Sequence, residues 1–162
     1  MDINALLCDH AQVAGKLFIS GASIDAFTFD AHDPGPYVIN FAIAGVVHVP
    51  WTDTNNEHRL QFLVVDADGR APLLGNGGQV PPEGLGGEMV FNVGRPAGLP
   101  AGDEQLVPFA FQFVGLPLAS LGRYTIRLLI DGAEVRHIPF RLTKPPIPGA
   151  GFGPATPGPI GG

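Results

Sequence analysis

Apolar residues alternate with polar or small ones along most of this chain, and period two is the pattern of strands rather than helices. The clearest run is 122–142, Gly-Arg-Tyr-Thr-Ile-Arg-Leu-Leu-Ile-Asp-Gly-Ala-Glu-Val-Arg-His-Ile-Pro-Phe-Arg-Leu. Tyr124, Ile126, Leu128 and Ile130 fall on one face of a strand. Asp131-Gly132 follows, a dipeptide that tolerates the positive φ angles of a two-residue type I′ turn. Val135 and Phe140 mark a second strand returning beside the first, with Pro139 expected on an unpaired edge or at a bulge.

The rest of the chain repeats the pattern in order. Ile3 to Cys8 reads as a short apolar strand, and Asp9-His10-Ala-Gln as a turn or an edge segment. Gly15 to Gly21 is a second strand, which Ser23 to Phe29 continues after a kink. Asp33-Pro-Gly-Pro36 must be a loop, since prolines cannot keep a ladder. Tyr37 to Val49 carries large side chains on one face and mostly small ones on the other, as a central strand covered on both sides would. The polar stretch 50–58 has room for one helical turn, with Thr52 as its N-cap. Arg59 to Val65 is a strand, and Asp66-Ala-Asp-Gly69 is its turn. Pro72 to Gly87 is a long Gly/Pro-rich loop, of a length that is often functional. Strands resume over Glu88 to Val93 and Gln105 to Val114, the latter with Val107, Phe109, Phe111 and Phe113 on one face.

This arrangement predicts an all-β domain over residues 1–143, an immunoglobulin-like antiparallel β-sandwich of eight or nine strands. Tyr124, just inside its strand, stands where such domains hold a tyrosine whose hydroxyl bonds upstream backbone. Asp66, Gly69, Asp131 and Gly132 are the expected turn-forming residues. From Lys144 the composition changes. Residues 144–162 form a Pro/Gly-rich tail with almost no core-forming residues, extended or polyproline-like when free.

Composition agrees. Charged residues make up 15% and hydrophobic residues 45%, with 23 Gly and 17 Pro, too few charges for the exposed faces of long helices. A net charge of -6 argues against nonspecific nucleic-acid binding. Cys8 is the single cysteine, so no internal disulfide forms, and its apolar setting reads as burial rather than reactivity. A domain near 150 residues buries about 70% of its unfolded surface and needs no metal to fold. With neither a basic-then-apolar leader nor an apolar run of spanning length, the expected location is cytoplasmic, or a virion for a phage component.

Three stretches together resemble an uncharacterised bacterial family, a domain of unknown function. They are 6–21, with its Gly-Lys-Leu run, 58–69, with its Asp-Ala-Asp-Gly turn, and 121–132, with its Gly-Arg-Tyr and Asp-Gly. The resemblance spans about residues 3–142 and omits the tail. It implies a small β-sandwich and brings no activity with it.

Candidate chemistry is sparse. Asp66-Ala-Asp-Gly69 opens like a calcium loop, but the twelfth position is Gly77 where a Glu is needed. His48, Asp53, Glu57 and His58 crowd the region around Trp51 without a compact zinc spacing. Asp9 and His10 point to opposite faces of a strand, a poor geometry for a base and its orienting carboxylate. No catalytic, cofactor-binding or metal residue is therefore assigned. The leading expectation is a non-catalytic structural or interaction module of a larger assembly, such as a bacterial or phage particle. Its partners would be proteins, itself included, and neither nucleic acid nor membrane. The tail would serve as an assembly arm, and Trp51, Phe152, Pro154 and Ile160 are the candidate interaction residues. The alternatives are a monomeric small-molecule or peptide-binding module using loop 72–87 and the neighbouring Trp51 region, and a metal-dependent enzyme around His48, Asp53 and His58.

Overall fold

The computed structural model describes residues 1–78 and 84–145, and among these every regular element but one short turn is a strand. The nine strands are β1 (Asp2–Val13), β2 (Leu17–Ala22), β3 (Ala26–Thr28), β4 (Tyr37–Pro50), β5 (Glu57–Asp66), β6 (Leu85–Asn92), β7 (Glu104–Leu118), β8 (Gly122–Ile130) and β9 (Ala133–Thr143). They form a four-stranded sheet in the order β2-β1-β4-β7 and a five-stranded sheet in the order β3-β9-β8-β5-β6. The connections β2 to β3, β3 to β4, β4 to β5, β6 to β7 and β7 to β8 therefore cross from one sheet to the other.

The two sheets stack through their alternating apolar positions, and this interface is the core. Ile39, Phe41, Ile43, Val47 and Val49 of β4 face Leu60, Phe62 and Val64 of β5 and Ile126 and Leu128 of β8, all buried. The aromatic stripe of β7 faces inward, as expected. Phe113 stacks on Phe41 with ring centroids 4.5 Å apart, and Phe111 lies 4.6 Å from Phe62 across the sheets. Gly45 belongs to this packing, because a Cβ there would sit 2.8 Å from the Phe109 ring.

The β8–β9 hairpin turns through Asp131 and Gly132, with φ of 51° and 83°, the left-handed pair that a type I′ turn requires. Pro139 pairs with Thr125, while β3 borders β9 only at Arg141–Thr143, so among the described residues no strand lies on the outer side of β9 at Pro139. The bulge of this hairpin lies instead between Leu128 and Leu129.

Five expectations are corrected. One strand pair is parallel: after Ser23, at φ 72°, the chain changes sheets and β3 runs parallel to β9. Asp9 to Gln12 is not a turn, because β1 continues to Val13 as half of a hairpin with β2. Thr52 does not cap the 3-10 turn Trp51–Asp53. Pro50 holds the cap position, and the Thr52 hydroxyl bonds Asp53 Oδ1 instead. Loop 72–87 is shorter than its composition suggests, since β6 begins at Leu85 and pairs along β5. Finally, β4 is only partly covered on its outer side. Ala11 and Leu17 of the β1–β2 hairpin pack on buried Ala42 and Ala44, and Gln112 Nε2 donates to the Ala11 carbonyl at 2.8 Å. Beyond that contact Val46 and His48 are half-buried, and Val38 is exposed.

Candidate functional site

The most connected polar cluster joins the start of β5 to the β8–β9 turn. His58 is 8% exposed and has an acceptor on each ring nitrogen. Asp131 Oδ2 lies 2.8 Å from Nδ1, and the Asp53 carbonyl lies 2.8 Å from Nε2. Both partners are acceptors, so only the imidazolium satisfies both. Asp131 Oδ1 accepts the Arg59 amide at 2.8 Å, and the Asp131 amide donates back to the Arg59 carbonyl at 2.9 Å. Burial pushes the His58 pKa down. The hydrogen bonds to Asp53 and Asp131 and the two carboxylate charges outweigh it and leave the pKa raised. The Arg59 amide and then His58 hold the Asp131 carboxyl below its ordinary value.

Next to this cluster, Arg95 stacks over the Trp51 ring, 3.7 Å from its centroid. Its guanidinium also donates to Thr54 Oγ1 at 2.8 Å and to the Trp51 carbonyl at 2.9 Å. The indole face under Arg95 is thus occupied by the chain itself.

The structure separates the other residues singled out from sequence. His48 points to the outer face of its sheet, between Asn4 and Glu104, while His58 points inward. Among the described residues no three His, Cys, Asp or Glu side chains converge as a metal would need. Asp66 Oδ1 accepts the amides of Asp68 and Arg70 at 2.9 and 3.0 Å, so its carboxylate closes its own turn, with Gly69 at φ 75°. Leu73 and Gly75 of the long loop bond the end of β7, where Leu118 pairs with Tyr37. Trp51 follows the opposite end of β4, about 40 Å away at about 3.3 Å per residue. Loop and tryptophan therefore do not form one pocket. Burial, and then the charge of Asp9, push the Cys8 thiol pKa up, as for an inert buried thiol. Tyr124 donates its hydroxyl to the Ser120 carbonyl at 2.7 Å. Phe152, Pro154 and Ile160 lie outside the described residues.

The outer faces of the two sheets differ sharply. The five-stranded sheet is charged, and Arg59–Glu88, Arg127–Glu134 and Arg141–Asp25 are ion pairs on or beside it. None of the nine Lys and Arg residues lies on a strand of the four-stranded sheet. Of the nine exposed large hydrophobics among the described residues, six lie on that sheet's strands: Val13, Phe18, Ile19, Val38, Leu106 and Val114. Val90 is the one on the charged sheet. A groove runs between Leu17 and Ile19 of the hairpin and Leu6, Ala44 and Val46 of the sheet face, with Arg136 of β9 at its rim. Sequence reading missed this face because each strand contributes only one or two of its residues.

The family described as "Family of unknown function (DUF6941)" matches residues 4–143. The chain belongs to that family. The DUF6941 match spans all nine strands and leaves the Pro/Gly tail outside. No curated protein matches the chain. Among solved structures, the Pseudomonas fluorescens alkylpurine DNA glycosylase AlkC bound to DNA containing an abasic site analog is similar at 12% identity and a TM-score of 0.36. The similarity covers 86% of this DUF6941 chain and 30% of that one. No helix among the described residues is long and apolar enough to cross a membrane.

Proposed function

We propose that this DUF6941 protein is a non-catalytic structural or interaction module that joins protein partners in a larger assembly. One observation carries the reading: six of the nine exposed large hydrophobics among the described residues lie on the strands of the four-stranded sheet, which carry no Lys or Arg, while the other sheet bears ion pairs on its outer side. A sandwich that stands alone alternates apolar inward with polar outward on both of its sheets. An exposed apolar expanse rimmed by polar groups marks a site of association. The bond from Tyr124 to Ser120 supports an immunoglobulin-like sandwich as the scaffold. The tail 144–162 is the assembly arm, since its prolines favour an extended polyproline conformation and so reduce the entropy lost when it lies on a neighbour. A phage or phage-like particle is one setting for such a module.

The test is the mass in solution of the full chain and of a chain ending at Lys144, by sedimentation and light scattering. The full chain should form species larger than a monomer, and the shortened chain smaller ones. Equal monomer masses for both would overturn the proposal.

A further inference from the structure

Resting on the interaction-module reading, we infer that a groove on the outer face of the five-stranded sheet binds the carboxylate of an acidic side chain on a protein partner, through Arg123 and Arg141. The groove has a volume of about 310 Å³ and is lined by Asp25, Arg123, Thr125, Pro139 and Arg141. Its two arginines are placed by register. Arg123 of β8 pairs directly with Arg141 of β9. The Arg141 amide donates away from β8, to the Asp25 carbonyl at 3.1 Å. The pair is therefore a non-hydrogen-bonded one, in which Cα atoms approach to about 4.5 Å and side chains lie closest. Tyr124, Phe140 and Leu142 are buried inward, so Arg123 and Arg141 both leave the sheet on its outer face. Like charges directly opposite one another destabilise a sheet. The chain has only nine Lys and Arg against fifteen Asp and Glu, so nothing in its composition forces two of them into one such pair.

One carboxylate serves these two cations. Asp25 Oδ2 lies 3.3 Å from Arg141 Nη2, in a pair whose side chains are 79% and 60% exposed. Arg123 has no acidic partner among the described residues. The nearby acids are committed elsewhere. Asp66 pairs with Tyr124, shares its inward side and closes its own turn, in which Asp68 and Arg70 balance each other. Glu134 bonds Arg127 at 2.6 Å. The groove thus lacks one negative charge. A carboxylate supplies that charge, and its two oxygens match the paired N–H donors of a guanidinium. The Thr125 hydroxyl adds a donor, and Pro139 an apolar wall for the methylene groups of Asp or Glu. A phosphate carries up to two charges, more than the groove lacks, and would bring the excess against Asp25.

The experiment is an NMR titration of the isotope-labelled full chain with a hexaglutamate peptide, a hexaglutamine peptide and inorganic phosphate, at about 0.1 M salt. Hexaglutamate should shift the amides of Arg123, Thr125 and Arg141, and hexaglutamine should not. Arg123→Gln and Arg141→Gln should each weaken hexaglutamate binding about fivefold, the scale of one partly exposed charge pair. Asp25→Asn should strengthen it, because the chain's own competitor is gone. Arg59→Gln is the control. Arg59 is paired with Glu88 and stands beside Asp131, about 26 Å along the ladder at about 3.3 Å per residue and beyond the screening length of about 10 Å. It should leave binding unchanged. Without peptide, Arg123→Gln should keep or raise the thermal midpoint, since it relieves a like-charge pair. A lowered midpoint would mean that Arg123 serves the fold, and the inference would fall. It would fall equally if hexaglutamine bound as well as hexaglutamate, if phosphate bound more tightly at the same residues, or if Arg123→Gln left binding intact. A chain that assembles but ignores hexaglutamate removes the groove and keeps the interaction-module reading. A monomeric chain that binds hexaglutamate through Arg123 keeps the groove and removes the assembly arm.

Discussion

Asp131→Asn should destabilise the domain in a pH-dependent way, and the reason lies in one hydrogen-bond pair. Asn keeps the shape, tolerates the φ of 51° and can still accept the Arg59 amide through its Oδ1. What it cannot supply is the negative charge opposite His58 Nδ1, 2.8 Å away. A hydrogen bond to a charged group contributes about 1.5–3 kcal/mol when well buried. The His58 side chain is 9% exposed but that of Asp131 is 47% exposed, so water screens half of the pair and about 1 kcal/mol remains. For a chain of this size that is about 2–4 °C in melting temperature.

The pH window follows from the two directions of shift. The raised folded pKa of His58 makes its contribution complete below the unfolded value, about 6.5, and lost as pH rises through the folded value. The depressed folded pKa of Asp131 makes its contribution present above the unfolded value, about 3.9, and lost as pH falls through the folded value. Both contributions coexist between about pH 4 and 6.5, and there the variant should trail the wild type most. By pH 9 the difference should shrink to the part that comes from the Arg59 amide's bond to the carboxylate, since neutral His58 no longer needs the charge. Urea denaturation at pH 5.5, 7 and 9 measures this, and an NMR titration of the His58 ring reads the pair directly. Parallel pH profiles for the two proteins, or a wild-type His58 that titrates below the ordinary histidine value, would refute the reasoning.

Two further substitutions test the supports of the same framework. Tyr124→Phe keeps the ring, which stacks on Phe140 with centroids 5.5 Å apart, and removes the hydroxyl's bonds to the Ser120 carbonyl and to Ser120 Oγ. It should cost about 1–2 kcal/mol in denaturation experiments, and an unchanged midpoint would show that the corner does not depend on the hydroxyl. Arg95→Ala uncovers Trp51, the single tryptophan, so its fluorescence should move to longer wavelength while stability falls by about 1–2 kcal/mol. An unshifted emission would mean that Arg95 does not shield the indole.

The sequence states the fold plainly wherever one strand carries its own instruction. Tyr124, Ile126, Leu128 and Ile130 declare a face, and Asp131-Gly132 declares the reversal, because both signals are local. Val107 to Phe113 do the same for β7. Local signals fail where the outcome depends on a distant neighbour. Ser23 bends the chain, but only the presence of β9 decides that β3 crosses to the other sheet and runs parallel there. Glycines 86 and 87 look like loop, yet β6 starts before them because β5 offers its ladder, and a Cβ at either would strike Phe62. The His58–Asp131 pair joins positions 73 residues apart, and nothing in either local sequence announces it.

The apolar outer face is a different case, because its signal was present in the sequence and was assigned to the wrong cause. Tyr37 to Val49 has small or apolar residues on both sides, and such a strand is covered on both sides in a finished structure. The fold provides one cover from β5 and β8, and half of a second from the β1–β2 hairpin over Ala42 and Ala44. Past the hairpin, Val46 and its neighbour Pro108 on β7 meet no further layer among the described residues. If the periodicity is an accident of composition, Leu106→Asp should be as harmless as any surface change and should improve solubility. If it records a missing layer, the same substitution should release a protein partner that the wild type holds. The chain's hydrophobic pattern then describes an assembled state that one copy alone cannot complete.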